Sequence, residues 1–295
     1  MGYANKVTAW FTHGVLLLIS CFCLLPFLLL LMSSVTDEET ILQNGYAFFP
    51  EKYSLSAYSY LISDAEEIVR AYGITVFITV VGTAFGLLIT ALLAYPLSRK
   101  DLPLRNWYSL AVFFTLLFSG GLVPTYLVYT QLLDLKNTVW SLIVPVLLMN
   151  GFNVMLMRTF FSMTIPPSLL ESANIDGAGE WRTLFRIVLP LSLPVLATVA
   201  LFQAIGYWND WFNGMIFLTD SSMYSIQNML NRILLDIQFL TTISLNSSQS
   251  EDLARIPKET VRMALAVIGV VPILAVYPFF QRYFVRGLTV GAVKG

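Results

Sequence analysis

Six apolar stretches with at most one charge each, near 14–32, 72–98, 107–130, 138–161, 190–218 and 261–281, dominate this chain of 295 residues. Each is long enough to cross the roughly 30 Å hydrocarbon layer of a bilayer as a helix rising 1.5 Å per residue. Hydrophobic residues make up 57% of the chain and charged ones 12%, whereas ordinary soluble domains run near a quarter charged. The expected fold is therefore an all-α membrane protein of six transmembrane helices. Lys6 precedes the first stretch as it would in a cleaved signal, but no small-residue cleavage site follows, so this stretch is read as a retained span. With 17 Lys+Arg against 18 Asp+Glu there is no basic field for nucleic acid. Cys21 and Cys23 lie in one span on different helix sides, which leaves no disulfide framework and no metal cluster.

Orientation follows from where the cations fall, because Lys- and Arg-rich connections stay in the cytoplasm. An N-terminus inside places Lys6, Arg99, Lys100, Arg105, Arg158, Arg182, Arg186, Arg282, Arg286 and Lys294 on that side, leaving seven of the 17 outside. Both termini are thus expected to be cytoplasmic. The chain divides into 1–71 (cytoplasmic start, first span, external connection), 72–284 (a five-span core with a cytoplasmic loop 165–190 and an external loop 219–260) and a tail 285–295. In the external loop, Ile226, Met229, Leu230, Ile233, Leu234 and Ile237 recur at helical spacing, with Gln227, Asn228, Asn231, Arg232 and Asp236 on other faces. That spacing predicts an amphipathic helix on the outer surface, followed by a mobile polar loop from Thr241 to Asp252.

The spans hold almost no titratable group at membrane depth. Ion-coupled transporters and pumps place Asp, Glu, His or Arg there, and a membrane enzyme would need a nucleophile with a base, or a metal set. Transport driven by another subunit is the expectation, without a cofactor or metal of its own.

The loop between the fourth and fifth spans reads Ile165-Pro-Pro-Ser-Leu-Leu-Glu-Ser-Ala-Asn-Ile-Asp-Gly-Ala-Gly-Glu-Trp-Arg-Thr-Leu-Phe-Arg-Ile-Val-Leu-Pro190. Pro167 suits a first helical position, and Ser168–Ile175 a short helix. Asp176-Gly177 supplies a stop, since glycine tolerates the left-handed conformation that ends helices. A second short helix, Glu180–Val188, leads to Pro190. Leu169, Leu170 and Ala173 would then share one side of a helix too short to stand alone, facing a partner protein or the lipid.

This segment resembles the EAA loop of permease subunits in ATP-binding-cassette importers. Glu171-Ser172-Ala173 stands for Glu-Ala-Ala, followed by Asp176-Gly177-Ala178 and Ile187-Val188-Leu189-Pro190. Ala94–Arg99, Trp208–Phe212 and Gly287–Gly295 extend the likeness to maltose-type carbohydrate permeases, and Phe118–Tyr126 to the subgroup for complex oligosaccharides, including pectic and uronic-acid fragments. The resemblance implies the type I importer permease fold, a multi-pass place in the cytoplasmic membrane of a prokaryote, and no catalysis in this subunit. It also implies a second homologous permease in a heterodimer, two ATPase subunits, an extracytoplasmic sugar-binding protein and surrounding lipid. On that likeness Glu171, Ser172, Ala173, Asp176, Gly177 and Ala178 couple to the ATPase, with Glu171 an ionic contact and Gly177 the turn. Residues 239–260, with Asn246, Ser247, Ser248 and Gln249, face the binding protein.

Polar groups within spans suggest a sugar path. Ser119-Gly120-Gly121 with Pro124 should break the third span, which is tolerated only where protein or a wet cavity covers the freed backbone. Asn150 and Asn153 lie three apart in the fourth span. Gln203 and Tyr207 lie four apart in the fifth, followed by Trp211. Amides match hydroxyls, and aromatic faces stack on sugar rings. The same residues equally serve helix packing and interface belts. Amino acids, peptides or a metal as cargo, or an ion-coupled carrier, are the competing readings.

Overall fold

The computed structural model describes residues 2–62, 65–145, 147–244 and 258–292. Among them the chain is helical apart from turns and one isolated bridge between Thr36 and Tyr53. It divides into two compact units, 1–66 with 230–272, and 67–229 with 273–295.

The first unit contains α1 (Gly2–Ser34), α2 (Glu38–Asn44) and α3 (Ser56–Ile62). From Thr8 to Ser34, α1 is apolar enough to span a membrane, and none of its most hydrophobic stretch is buried within the chain. Beyond it the backbone doubles back, Asp37 N–H donating to Lys52 O (3.0 Å) and Ser54 N–H to Val35 O (2.9 Å). Glu38 closes this unit. Its carboxylate accepts the Glu259 and Thr260 N–H groups (2.8 and 2.9 Å) and the Thr260 hydroxyl (2.7 Å). Those N–H groups belong to the first turn of the last helix, Lys258–Ala292, where no intrahelical acceptor exists and the helix dipole favours a negative charge.

The second unit is organised along α4 (Ala65–Ser98), an apolar helix of 34 residues. Its buried positions are mostly small: Gly82, Gly86, Thr90, Ala91 and Ala94. Between helices in lipid, association rests on close backbone approach, which small residues permit. The third apolar stretch is not one helix. α5 (Arg105–Leu117) and α6 (Leu122–Leu127), the latter continued by a π-helical turn Val128–Leu132, meet at 111°. Phe118 is extended and Gly121 has φ +83°, so the Ser119–Gly121 break expected from the sequence is an elbow.

The fourth stretch departs from the continuous helix that was expected. α7 covers only Trp140–Ile143, and α8 begins at Gly151 and runs to Thr164. Pro145 cannot supply a helical N–H, and Asn150 restarts the helix by accepting the Phe152 N–H on its side chain (2.8 Å). Asn150 is thus a helix start, not a mid-helix residue.

α9 (Pro167–Ile175) and α10 (Glu180–Thr183) follow, then a π-helical turn Leu184–Val188 and α11 (Leu189–Leu191). The wide turn comes just before Pro190, whose ring would otherwise press on the carbonyl four residues back. After Ser192 the chain bends by 84° into α12 (Leu193–Trp208), and α13 (Phe212–Phe217) completes the fifth stretch.

One core cluster joins Ala91, Ala94, Tyr95 and Leu97 of α4 to Val154, Met157 and Phe161 of α8, Leu184 and Val188 of the loop, and Val195 and Val199 of α12. At the other end of α4, Ile78 packs with Leu142, Ile143 and Leu218.

α14 spans Ile226–Ser244, so Thr241–Ser244 continue the helix where a loop was expected. Asn228, expected on a polar face, is buried, its amide donating to Trp211 O (2.9 Å). A helix of mixed polarity can turn an Asn inward when a carbonyl is there to take it. The last helix, α15 (Lys258–Ala292), carries the sixth apolar stretch and continues into the expected tail.

Candidate functional site: the 165–190 loop and a cavity between helices

The loop 165–190 folds as helix, turn, helix. Pro167 sits in the first turn of α9, where a missing N–H costs nothing. At its far end Ala178 N–H reaches Ala173 O (2.9 Å) and Gly177 N–H reaches Asn174 O (3.0 Å), while Gly177 adopts φ +72°. This is the Schellman closure that requires a left-handed residue, and glycine takes that conformation without a Cβ penalty.

Exposure corrects the sequence reading of the loop. Ala173 is buried, and Leu170 packs against the core cluster, so two of the three residues expected to face a partner face inward. Leu169 is partly exposed. The outward apolar residues are Ile175 (86% exposed) and Trp181 (68%), Trp181 stacking on Phe185 with ring centroids 6.0 Å apart. Glu171, Ser172, Asp176 and Gly177 lie on the exposed surface and Ala178 is half-buried. The Ser172 hydroxyl folds back to Ser168 O (2.9 Å).

Glu180, absent from the sequence-derived site, makes the ionic contact in the loop. The Tyr95 hydroxyl donates to Glu180 Oε2 at 2.5 Å, and Arg99 Nη1 lies 3.6 Å from the same oxygen. Arg99 also grips Asp101 with two bonds, Nε to Oδ1 (2.8 Å) and Nη2 to Oδ2 (2.7 Å). The Arg99 hydrogen bond holds the Asp101 carboxyl at about 2, outweighing the opposing effect of burial. The same bond raises the Arg99 guanidinium further above its already high value. Tyr95, Arg99, Asp101 and Glu180 thus latch the start of α10 to the end of α4. Tyr95 and Arg99 fall in the segment Ala94–Arg99, whose interest was visible in the sequence; Glu180, 85 residues from Tyr95, gave no local signal.

Three of the expected path residues come together. A cavity of about 460 Å³ is lined by Leu147, Asn150, Phe152, Asn153, Phe202, Gln203 and Gly206. Asn153 and Gln203 are each about nine-tenths buried or more. Phe152 and Phe202, which the sequence reading passed over, neighbour polar residues already singled out. Tyr207 does not line the cavity: it is fully buried, its hydroxyl donates to Ile143 O (2.9 Å), and its ring lies against Gly82. It packs helices. Trp211 holds α13 to α14 through its carbonyl and meets Phe212 edge-on. Ser119, Gly120 and Gly121 stay exposed at the α5–α6 elbow. Asn246, Ser247, Ser248 and Gln249 lie outside the described residues. Among the described residues no cluster of metal-ligating side chains occurs.

Residues 1–290 match the family described as binding-protein-dependent transport system inner membrane component. The chain is 37% identical, over 99% of both chains, to the polygalacturonan/rhamnogalacturonan transport system permease protein YtcP of Bacillus subtilis (strain 168). It is 40% identical to protein LplC of the same organism, over 92% of this chain and 90% of that one. Its fold is similar to a chain in the crystal structure of a bacterial ABC transporter involved in the import of the acidic polysaccharide alginate, with TM-score 0.78 and 27% identity, covering 96% of this chain and 99% of that one.

Proposed function

Because the chain belongs to the family of inner membrane components of binding-protein-dependent transport systems, we propose that it forms one half of the membrane pore of an ATP-driven oligosaccharide importer. Fragments of acidic, pectin-like polysaccharides are the cargo class, a reading supported by the transport of polygalacturonan and rhamnogalacturonan for which YtcP is named and by the import of alginate in the structural relative. The observation that carries the mechanism is the bent loop 167–188, capped at Gly177 and packed on α4 and α8. A companion permease completes the pore, and two ATPase subunits receive the exposed surface around Glu171, Asp176, Ile175 and Trp181. Six spans cross the bilayer with both termini cytoplasmic, and residues 239–260 meet an extracytoplasmic binding protein that delivers the sugar.

In this mechanism nucleotide-driven closure of the ATPases moves α9 and α10 as a unit. Leu184 and Val188 share a core with Ala91, Ala94, Leu97, Val154, Met157 and Val199, so displacement of the loop displaces α4, α8 and α12. Packed interiors do not deform continuously, and the shift is passed on as a rearrangement of helices. The test is uptake of labelled oligogalacturonides into vesicles carrying the whole complex with its binding protein. ATP-dependent uptake is expected. Uptake driven by an ion gradient in this chain alone, or uptake of amino acids or peptides in place of sugars, would refute the reading.

A further inference from the structure

We infer that the cavity between α8 and α12, backed by α4, is a subsite that reads the uncharged hydroxyl face of a sugar ring, with Gln203 as its fixed anchor. The inference rests on the transport function proposed above and adds which chemistry this subunit recognises.

Gln203 is 5% exposed, and its amide is poorly satisfied. Nε2 lies 3.5 Å from Thr90 Oγ1, at the limit of a hydrogen bond, and the buried Oε1 has no partner among the described residues. Turning the amide over does not help: a single Thr90 hydroxyl serves one end and leaves the other unmet. Buried amides in native structures almost always find partners, so an orphan asks for a ligand. A purely packing role fits badly here, because small or apolar residues pack helices without leaving such a group. The room for the amide is also built. A Cβ on Gly86 would come within 2.8 Å of Gln203 Nε2 and of Leu148 O, so only glycine lets α4 approach with the amide in place.

The other walls match the same ligand. Asn150 commits its side-chain oxygen to the Phe152 N–H and keeps its NH₂ as a donor. Gln203 and Asn153 add two more amide side chains to the lining. A sugar hydroxyl, which both gives and accepts a hydrogen bond, can pair with such a set. Phe152 and Phe202 supply flat apolar faces of the kind that stack on the C–H face of a pyranose. The volume, about 460 Å³, lies in the range of small-ligand sites. No charged side chain lines it. A carboxylate entering would lose its water without gaining a counter-charge. The uronate groups of an acidic cargo must therefore point away from this wall, toward other parts of the path.

The test uses the assembled transporter, with its companion permease, ATPases and binding protein, in proteoliposomes, after chromatography has shown that each variant assembles. Gln203→Leu removes both amide ends at similar size, Gln203→Glu adds charge, and Phe202→Leu removes one stacking face. Trigalacturonate and its fully methyl-esterified form are the probes. We expect Gln203→Leu to raise the half-saturating concentration of both about tenfold and Phe202→Leu to raise it several-fold. Gln203→Glu should depress uptake of the acid about tenfold more than uptake of the ester. Wild-type half-saturation in Gln203→Leu overturns the subsite; if that variant does not assemble, wild-type half-saturation in Phe202→Leu overturns it equally. A wild-type complex that hydrolyses ATP but imports neither probe would overturn the transport function, and the subsite with it.

Discussion

Removing one oxygen at Tyr95 tests whether the α4–α10 latch transmits force. In Tyr95→Phe the 2.5 Å bond to Glu180 disappears, while Arg99 stays 3.6 Å from the same carboxylate oxygen. A hydrogen bond to a charged acceptor contributes about 1.5–3 kcal/mol when well shielded. The Glu180 side chain is 60% exposed, so water takes over much of the phenol's role and the loss falls to about 1 kcal/mol. That equals about a fivefold rise in the population with α10 detached from α4. Glu180→Gln keeps an acceptor but loses the charge facing Arg99, and a similar cost is expected. The two changes act on one interaction, so the double variant should cost less than the sum of the singles. The assay is the ratio of sugar imported to ATP hydrolysed in proteoliposomes. It should fall up to about fivefold, with assembly intact and hydrolysis continuing. If both single variants and the double variant keep the wild-type ratio, the latch lies off the force path. Strict additivity would show that Tyr95 and Glu180 act separately.

Three further outcomes follow from packing and charge. Gly82→Ala drives a methyl into the Tyr207 ring, which the Ile143 hydrogen bond holds in place, so a loss of about 1–3 kcal/mol and a lower thermal midpoint of the complex are expected; an unchanged midpoint would mean that α4 and α12 separate freely. Glu38→Ala leaves three donors at the start of α15 without their acceptor and should cost about 1–2 kcal/mol, read as faster hydrogen exchange at residues 258–262. Asp101 has its folded value, about 2, below the roughly 3.9 of an unfolded chain, so its stabilisation is complete above about pH 4 and fades as pH falls toward 2. Thermal midpoints of Asp101→Asn and wild type should therefore differ by a small constant from pH 5 to 8 and converge in acid, the step being small because Asp101 is 67% exposed.

The order of apolar stretches, the elbow at Ser119–Gly121, the Gly177 turn and the amphipathic run from Ile226 were all legible in the sequence. Each depends on neighbours a few residues away: lipid-length hydrophobicity, glycine's access to positive φ, and the 3.6-residue period act locally. Such signals place an element without saying what it touches. Asn150, Asn153, Gln203 and Tyr207 looked alike as polar groups within spans. Only the fold separates Gln203, with one amide end unmet beside a cavity, from Tyr207, whose hydroxyl is spent on a backbone carbonyl. In the loop, periodicity could not tell which side of α9 would turn inward; Leu170 packs on the core and Ala173 is buried. Glu180 became a contact residue because α4 ends where α10 begins, a proximity made by chain segments 85 residues apart. Local chemistry determined which elements form and where they stop; which side chains are left free to work was decided by helices competing in three dimensions for the same buried volume.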